Sequence, residues 1–127
     1  MHFEAIAQSA QKSISTDIAF TNYLIQNGNY HEALTLLEEE TESNDTINFL
    51  KGWCYYKLNL NDTCLATWNL VNSFSQFGKA ARFYGAVIRI YKRDIFGAKA
   101  EMQRLKYVPL NNDERLLQQL FLVGFEI

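Results

Sequence analysis

The apolar residues of this chain recur with a helical period along nearly its whole length, and this pattern limits the fold more than any other feature. Phe3, Ile6 and Ala10 fall at i, i+3 and i+7, which is one face of a helix. Polar runs such as Asn27-Gly28-Asn29 separate the periodic stretches, because Gly and Asn accept the left-handed conformation that ends a helix. The sequence therefore predicts an all-α protein. Helices are expected around Phe3–Ala10 and Ile18–Ile25, over Tyr30–Glu40, over Ile47–Leu58 behind a cap at Asp45 or Thr46, from Asn61 or Asp62 to Phe74, over Lys79–Tyr91 and Ile95–Tyr107, and behind a cap at Asn111, Asn112 or Asp113.

The composition agrees with a helical protein and excludes several function classes. One Pro and six Gly are too few for the many turns of a sheet-rich domain. The net charge of −2 gives no basic footprint for nucleic acid. No apolar run approaches the ~20 residues that a membrane-spanning helix needs, and the first residues lack the pattern of a signal peptide. We expect a soluble, cytoplasmic protein that is not inserted in a membrane, with Cys54 and Cys64 as buried free thiols.

A turn motif recurs along the sequence. The segment 28–33, Gly-Asn-Tyr-His-Glu-Ala, has the order found where the first helix of a tetratricopeptide repeat ends and the second begins. In that order a Gly forms the turn, an aromatic residue follows two positions on, and a small residue lets the antiparallel helices approach closely. Asn59 and Cys64 match Gly28 and Ala33, each 31 positions later.

A third and weaker copy runs from Gly85 through Ala98 to Pro109, where the closing proline of the repeat belongs. We therefore predict a single domain, residues 1–127, made of about three degenerate tetratricopeptide-like helix pairs and a C-terminal capping helix. The pairs are expected to stack as a short right-handed superhelix. Lys51 departs from the pattern, because the second copy expects a buried apolar residue there.

A particular family shares these turns. The segment 28–33, the turn Lys57-Leu58-Asn59-Leu60 and the stretch 91–105 resemble the small repeat-fold chaperones of type III secretion needle subunits in Gram-negative bacteria. The resemblance covers roughly residues 20 to 122. It implies a bacterial cytoplasmic chaperone without cofactor or catalytic residues, which works with a small helical co-chaperone. The pair keeps the needle subunit from polymerising by holding its C-terminal amphipathic helix in a groove.

Helix-in-groove binding requires apolar anchors along the groove. Phe49, Trp53 and Tyr56 form one stripe of a helix that is apolar over much of its circumference, so they either face a groove or pack against a neighbouring helix. Ile47, Leu50, Cys54 and Leu58 form the adjacent stripe and are predicted as core, as is Trp68. The groove residues predicted from equivalent repeat positions are Ile18, Asn22, Ile25, Phe49, Trp53, Tyr56, Arg82, Ala86 and Arg89.

Two further surfaces have a functional and a structural interpretation. Arg82 and Arg89 either meet a carboxylate of the bound peptide, or are simply solvated or paired with local acids. Phe3, Ile6 and Ala10 either dock a co-chaperone or pack on the next helix of the protein.

The sequence shows no catalytic pattern. Neither His2 nor His31 has an acid-base partner at a readable spacing, and the Ser, Cys and His residues form no nucleophile set. No phosphate-binding loop, dinucleotide motif or metal-ligand spacing is present. Besides the needle chaperone, three alternatives stay open: a chaperone of type III translocators that holds an extended segment, a generic scaffold that recruits a partner by its C-terminal carboxylate, and an unrecognised enzyme.

Overall fold

The helices follow one another with short turns throughout the part of the protein that is described. The computed structural model describes residues 16–40 and 42–124, and over these ranges it contains seven α-helices and no strand. The prediction of an all-α protein is confirmed. No helix among the described residues is long and apolar enough to cross a membrane. The helices are α1 (Thr16–Gln26), α2 (Tyr30–Glu38), α3 (Asp45–Lys57), α4 (Asn61–Trp68), α5 (Gly78–Tyr91), α6 (Ile95–Gln103) and α7 (Asn112–Gly124).

The protein forms two compact units. Unit 1 is Met1–Asn72, and its helices α1 to α4 pack each on the next in sequence order. Unit 2 is Ser73–Ile127, in which α6 packs on α5 and α7 packs on α6. Both units consist of adjacent helix pairs, which is compatible with a tetratricopeptide-like fold.

The first helix of each pair ends in the same way. Gly28, Asn59 and Arg93 have positive φ angles of 80°, 61° and 61°. In each case the following N–H bonds to a carbonyl five residues back, at 2.8 Å, 2.9 Å and 2.8 Å for Asn29, Leu60 and Asp94. This is the bonding of a Schellman motif, in which a left-handed residue satisfies the last carbonyls of a helix. The first helices of these three pairs therefore end in the same motif.

The second helix of each pair approaches through a small residue at a fixed offset from the turn. Five positions after the left-handed residues lie Ala33, Cys64 and Ala98, and all three side chains are fully buried. The predicted equivalence of Ala33 and Cys64 is confirmed, and Ala98 extends it to the third pair. The physical cause is steric, because a larger side chain at the closest point would separate the helices.

Several predicted helix ends are wrong by a few residues. The cap of α3 is Asn44 rather than Asp45 or Thr46, since its Oδ1 accepts a hydrogen bond from the Ile47 N–H at 2.9 Å. Helix α4 ends at Trp68 rather than Phe74, because a polar turn follows it, in which the Asn72 N–H donates to Asp45 Oδ1 at 3.1 Å. A Ser- and Asn-rich segment competes with the helix for backbone hydrogen bonds.

The last two helices show one further wrong end and one confirmed cap. Helix α6 ends at Gln103 rather than Tyr107 and continues as turns. Of the three caps predicted for α7, Asn111 is the one the structure shows, because Asn111 and Glu114 exchange side-chain-to-backbone bonds of 2.8 Å and 2.9 Å. This is the geometry of a capping box.

Each unit has its own apolar interior. In unit 1 the interior includes Leu37, Leu50, Cys54, Cys64 and Trp68. Both cysteines are free and buried, as predicted. In unit 2 one cluster joins α5, α6 and the turn before α7, and it consists of Phe83, Ala86, Ala98, Met102, Leu105 and Val108.

Candidate functional site

The aromatic stripe of α3 packs against α4. Phe49 is fully buried, Trp53 is buried and Tyr56 is half-buried. Neighbouring ring centroids along the stripe are 6.4 Å and 5.6 Å apart. Trp68 of α4 stacks on Phe49 at 5.6 Å, and its Nε1–H donates to the Phe49 carbonyl at 3.0 Å. Trp68 is therefore a core residue, as predicted, and Tyr56 is the most exposed member of the stripe.

A cation covers the outer edge of this stripe. The Nζ of Lys57 lies 5.1 Å from the Trp53 ring centroid and 5.9 Å from that of Tyr56. A desolvated aromatic face attracts a cation through its negative quadrupole.

Helix α1 turns its predicted groove residues inward. Ile18, Asn22 and Ile25 are all buried. The opposite face of α1 exposes Phe20 and Tyr23, whose rings stack with centroids 6.3 Å apart. Beside this pair a depression of about 350 Å³ opens between α1 and α2, and it is lined by Phe20, Leu24, Glu32, Thr35 and Leu36.

The predicted groove residues of unit 2 are also interior. Arg82 and Ala86 are fully buried, and Arg89 is half-buried. The Glu101 carboxylate lies 3.7 Å from Arg82 Nη1, 3.8 Å from Arg89 Nε and 3.5 Å from Arg104 Nη1. Arg89 also binds Asp94 at 2.9 Å. These arginines therefore pair with acids of their own unit.

Electrostatics agree with this geometry. Burial lowers the pKa of Arg82 to about 10, because a desolvated guanidinium loses its hydration. The Glu101 carboxylate acts in the opposite sense, and Arg104 and Arg89 lower the pKa further. The pKa of Asp94 lies below its usual range because the Gly97 N–H donates to it and Arg89 binds it. Unit 2 thus contains a cationic network that is organised around one interior carboxylate.

Helix α7 carries a surface that the sequence analysis does not single out. Leu116, Leu120 and Val123 lie at i, i+4 and i+7 and are 60%, 61% and 56% exposed, and Leu117 beside them is 41% exposed. We call these four residues the α7 stripe. Gln118 on the inner side is only 4% exposed, and its Nε2–H donates to the Met102 carbonyl at 3.0 Å. The helix therefore buries an amide and exposes leucines.

The period of the apolar residues predicts that this segment is a helix, but it does not indicate which face of the helix packs against the core. Phe121 and Leu122 pack against the unit 2 core from the same helix, so apolar residues occupy both sides of α7. Large exposed apolar patches on a folded protein mark interaction sites more often than scattered single residues do.

The predicted groove residues belong to both units, and the predicted co-chaperone contact belongs to neither described range. The groove residues divide between unit 1 and unit 2. Phe3, Ile6 and Ala10, predicted as a co-chaperone contact, lie outside the described residues. Among the residues that are described, no group of three or more His, Cys, Asp or Glu side chains is placed to hold a metal ion.

Comparison with known proteins gives a similarity over half of the sequence. The similarity covers 67 residues, or 51% of this chain. Over this length the sequence is 36% identical to Signal recognition particle subunit SRP72 of Homo sapiens. The SRP72 subunit of Canis lupus familiaris matches to the same extent. SRP72 carries tetratricopeptide repeats, and this chain spans about a tenth of the length of those relatives. No family model matches the sequence, and no solved structure matches it.

Proposed function

We propose that this protein is a non-catalytic scaffold of tetratricopeptide-like helix pairs that binds an amphipathic helix of a partner protein. The α7 stripe is the observation that carries the proposal. It is a continuous apolar face on a helix whose opposite side is fixed to the unit 2 core by Gln118, Phe121 and Leu122. The similarity to a repeat-containing subunit of the signal recognition particle supports the scaffold class.

The spacing of the stripe determines the chemistry of its partner. Leu116, Leu120 and Val123 lie along one line of α7, so a second helix laid beside them meets apolar side chains on successive turns. A guest with apolar residues at i, i+3, i+4 and i+7 fits such a face. Full burial of one exposed leucine contributes about 1.5–3 kcal/mol, so three or four such contacts supply a useful part of the free energy of binding.

A more specific form of the proposal is the type III secretion chaperone. It rests on the resemblance of the repeat turns, and its guest would be the C-terminal helix of a needle-type subunit held together with a small helical co-chaperone. In this form the half-buried Tyr56 and the exposed pair Phe20 and Tyr23 offer further aromatic contacts in unit 1. The identity of the captured protein distinguishes this form from the general scaffold.

Site-specific photo-crosslinking tests the docking surface. A photoreactive phenylalanine is placed at Leu120 in one variant and at Phe96, which is 89% exposed on α6, in a matched control. Irradiation in an extract of the native cells should give a discrete polypeptide adduct at 120 and none at 96. Equal adducts at both positions, or none at 120, would contradict docking on α7. Mass spectrometry of the adduct then shows whether the partner is a small secreted subunit.

A substitution that should abolish binding tests the same surface. Leu120→Glu places a charge in the middle of the stripe and should abolish capture of the cross-linked partner, because burying the carboxylate is costly. Phe96→Glu should leave capture unchanged. Both positions are exposed, so neither substitution should change the helix content measured by circular dichroism.

A further inference from the structure

The turn between α5 and α6 carries exposed aromatic side chains beside exposed cations. Tyr91 and Phe96 are 82% and 89% exposed, and Ile95 is 41% exposed. Lys92 and Arg93 lie between the two aromatic residues in the sequence and are exposed as well. We call these five residues the turn patch. Aromatic rings with this exposure have few contacts with their own protein, so both rings protrude from the turn.

The backbone of the turn does not require these side chains. Tyr91 lies two residues before the left-handed residue Arg93, and Phe96 lies three residues after it. The same two positions of the other two turns hold exposed polar residues, namely Gln26 and His31 in the first turn and Lys57 and Asp62 in the second. All three turns nevertheless make the same backbone hydrogen bonds. The formation of the turn therefore does not explain the aromatic residues of the turn patch.

The turn patch is cationic although the protein as a whole is acidic. Residues 88–100 contain four cations and a single acid, Asp94, whereas the whole sequence has a net charge of −2. Asp94 is engaged by its own unit, because Arg89 Nη1 lies 2.9 Å from its Oδ2 and the Gly97 N–H donates to its Oδ1 at 2.9 Å. Lys92 and Arg93 therefore determine the charge that this turn presents to the solvent.

From this arrangement we infer that the turn patch binds the surface of an anionic lipid bilayer. Phe96 and Ile95 enter the boundary between head groups and acyl chains, where apolar side chains leave water without a pocket of matching shape. Tyr91 places its ring in the same boundary and its hydroxyl among the head groups. Lys92 and Arg93 attract the negative head groups, and their long aliphatic stems let the charges stay in water.

The small number of cations favours a bilayer over a nucleic acid. Aromatic rings beside cations also bind single-stranded nucleic acids, but there a groove of cations follows the backbone. Two exposed cations on one turn meet too few phosphates for that use. On an anionic bilayer each cation raises the binding constant about fivefold. We expect weak and reversible binding, with half of the protein bound at roughly 0.1–1 mM lipid.

Co-sedimentation of the full-length protein with vesicles tests the inference. One set of vesicles consists of phosphatidylcholine alone, and the other is an equimolar mixture of phosphatidylcholine and phosphatidylglycerol. The protein should sediment with the anionic vesicles and stay in solution with the zwitterionic ones, and added salt should weaken the binding. A fluorescently labelled single-stranded uridine oligonucleotide serves as the nucleic-acid probe, and its anisotropy should not change.

Substitutions in the turn patch should weaken vesicle binding. Lys92→Gln and Arg93→Asn each remove one cation, and each should lower the binding constant about fivefold. Asn suits position 93 because it accepts the left-handed conformation, as Asn59 does in the second turn. Phe96→Glu replaces the most exposed ring with a carboxylate and should lower the binding constant about tenfold or more.

Two matched controls lie elsewhere in unit 2. Lys106→Gln removes an exposed cation beside the exposed ring of Tyr107, and it should bind vesicles as the wild type does. Leu120→Gln interrupts the α7 stripe without adding charge, and it should also bind normally. The turn patch and the α7 stripe share no residue, so a failure of helix docking leaves the vesicle result intact.

Three outcomes overturn the inference. The first is that the wild-type protein stays in solution with the anionic vesicles. The second is vesicle binding that is unchanged in Phe96→Glu or in the double variant of Lys92→Gln and Arg93→Asn, which would place the contact elsewhere. The third is binding of the oligonucleotide that the same substitutions abolish, which would make the turn patch a nucleic-acid site. The substituted side chains are exposed, so these variants should retain the wild-type melting temperature.

Discussion

The contact between Gly52 and Trp68 sets the distance between α3 and α4, and Gly52→Ala tests it. A Cβ added at Gly52 would overlap the pyrrole edge of the Trp68 indole. The indole has little freedom to move away, because its Nε1–H donates to the Phe49 carbonyl at 3.0 Å and its ring stacks on Phe49 at 5.6 Å. The new methyl group therefore displaces either the ring or the helix.

Three terms determine the size of the effect. Overpacking a close-packed core costs about 1–3 kcal/mol, and loss of the indole hydrogen bond costs about 1 kcal/mol. Replacing Gly with Ala inside a helix stabilises the helix by about 1 kcal/mol, which opposes the other two terms. We expect Gly52→Ala to lower the free energy of unfolding of unit 1 by about 1–3 kcal/mol.

Urea unfolding followed by tryptophan fluorescence measures this change directly. Both tryptophans of the protein, Trp53 and Trp68, lie in unit 1, so their emission reports on that unit. A Trp68→Leu background provides the control, because the smaller side chain leaves room for the methyl group and the penalty of Gly52→Ala should then disappear. An unchanged urea midpoint for Gly52→Ala in the wild-type background would refute the steric account of this helix pair.

Three further predictions concern stability and reactivity. Glu101→Gln should destabilise unit 2 by about 3 kcal/mol in urea unfolding followed by circular dichroism, because the buried Arg82 then loses its carboxylate at 3.7 Å; an unchanged midpoint would show that this pair is not needed. Asn44→Ala should cost about 1 kcal/mol through loss of the α3 cap, and Asn44→Asp, which keeps the acceptor, should not. Burial raises the pKa of Cys54 and Cys64 from 9.0 to about 12, so at pH 8 a thiol reagent should modify them only through unfolding; fast labelling of the folded protein would contradict this. Since the unfolded thiols ionise first, stability should fall as the pH rises from about 9 towards 12.

The repeat itself can be predicted because it depends on local backbone chemistry. The left-handed turn at Gly28 needs a residue without a Cβ penalty, and Asn59 is the usual substitute, so both are visible in the sequence. Arg93 takes the same conformation without a sequence signal of its own, since arginine has no preference for positive φ. The sequence predicts a break there only because the apolar period stops. The equivalence of Arg93 to the other two turns is visible only in the structure.

The sequence does not decide whether the predicted groove residues face a groove or the protein interior. Helix α3 is apolar on several sides, and an apolar period alone does not say which side meets another helix. The burial of Phe49 is decided by Trp68, which reaches it from 19 residues away in the sequence. Likewise Arg82 and Arg89 occupy plausible groove positions, yet Glu101 on the next helix of the unit determines where their charges lie. Tertiary partners, which no local pattern encodes, determine these orientations.

In helix α7, contacts with α6 determine which face is buried and which face is left exposed. Apolar residues lie on both sides of α7, so the sequence pattern does not decide whether the leucines of the α7 stripe or Phe121 and Leu122 face the core. In the structure the Gln118 side of α7 is buried, and the Gln118 amide donates to the Met102 carbonyl at the end of α6. Rotating α7 to bury its leucines would break that bond and carry Phe121 and Leu122 away from the core. A partner helix laid along the stripe would remove these exposed leucines from water without that rotation.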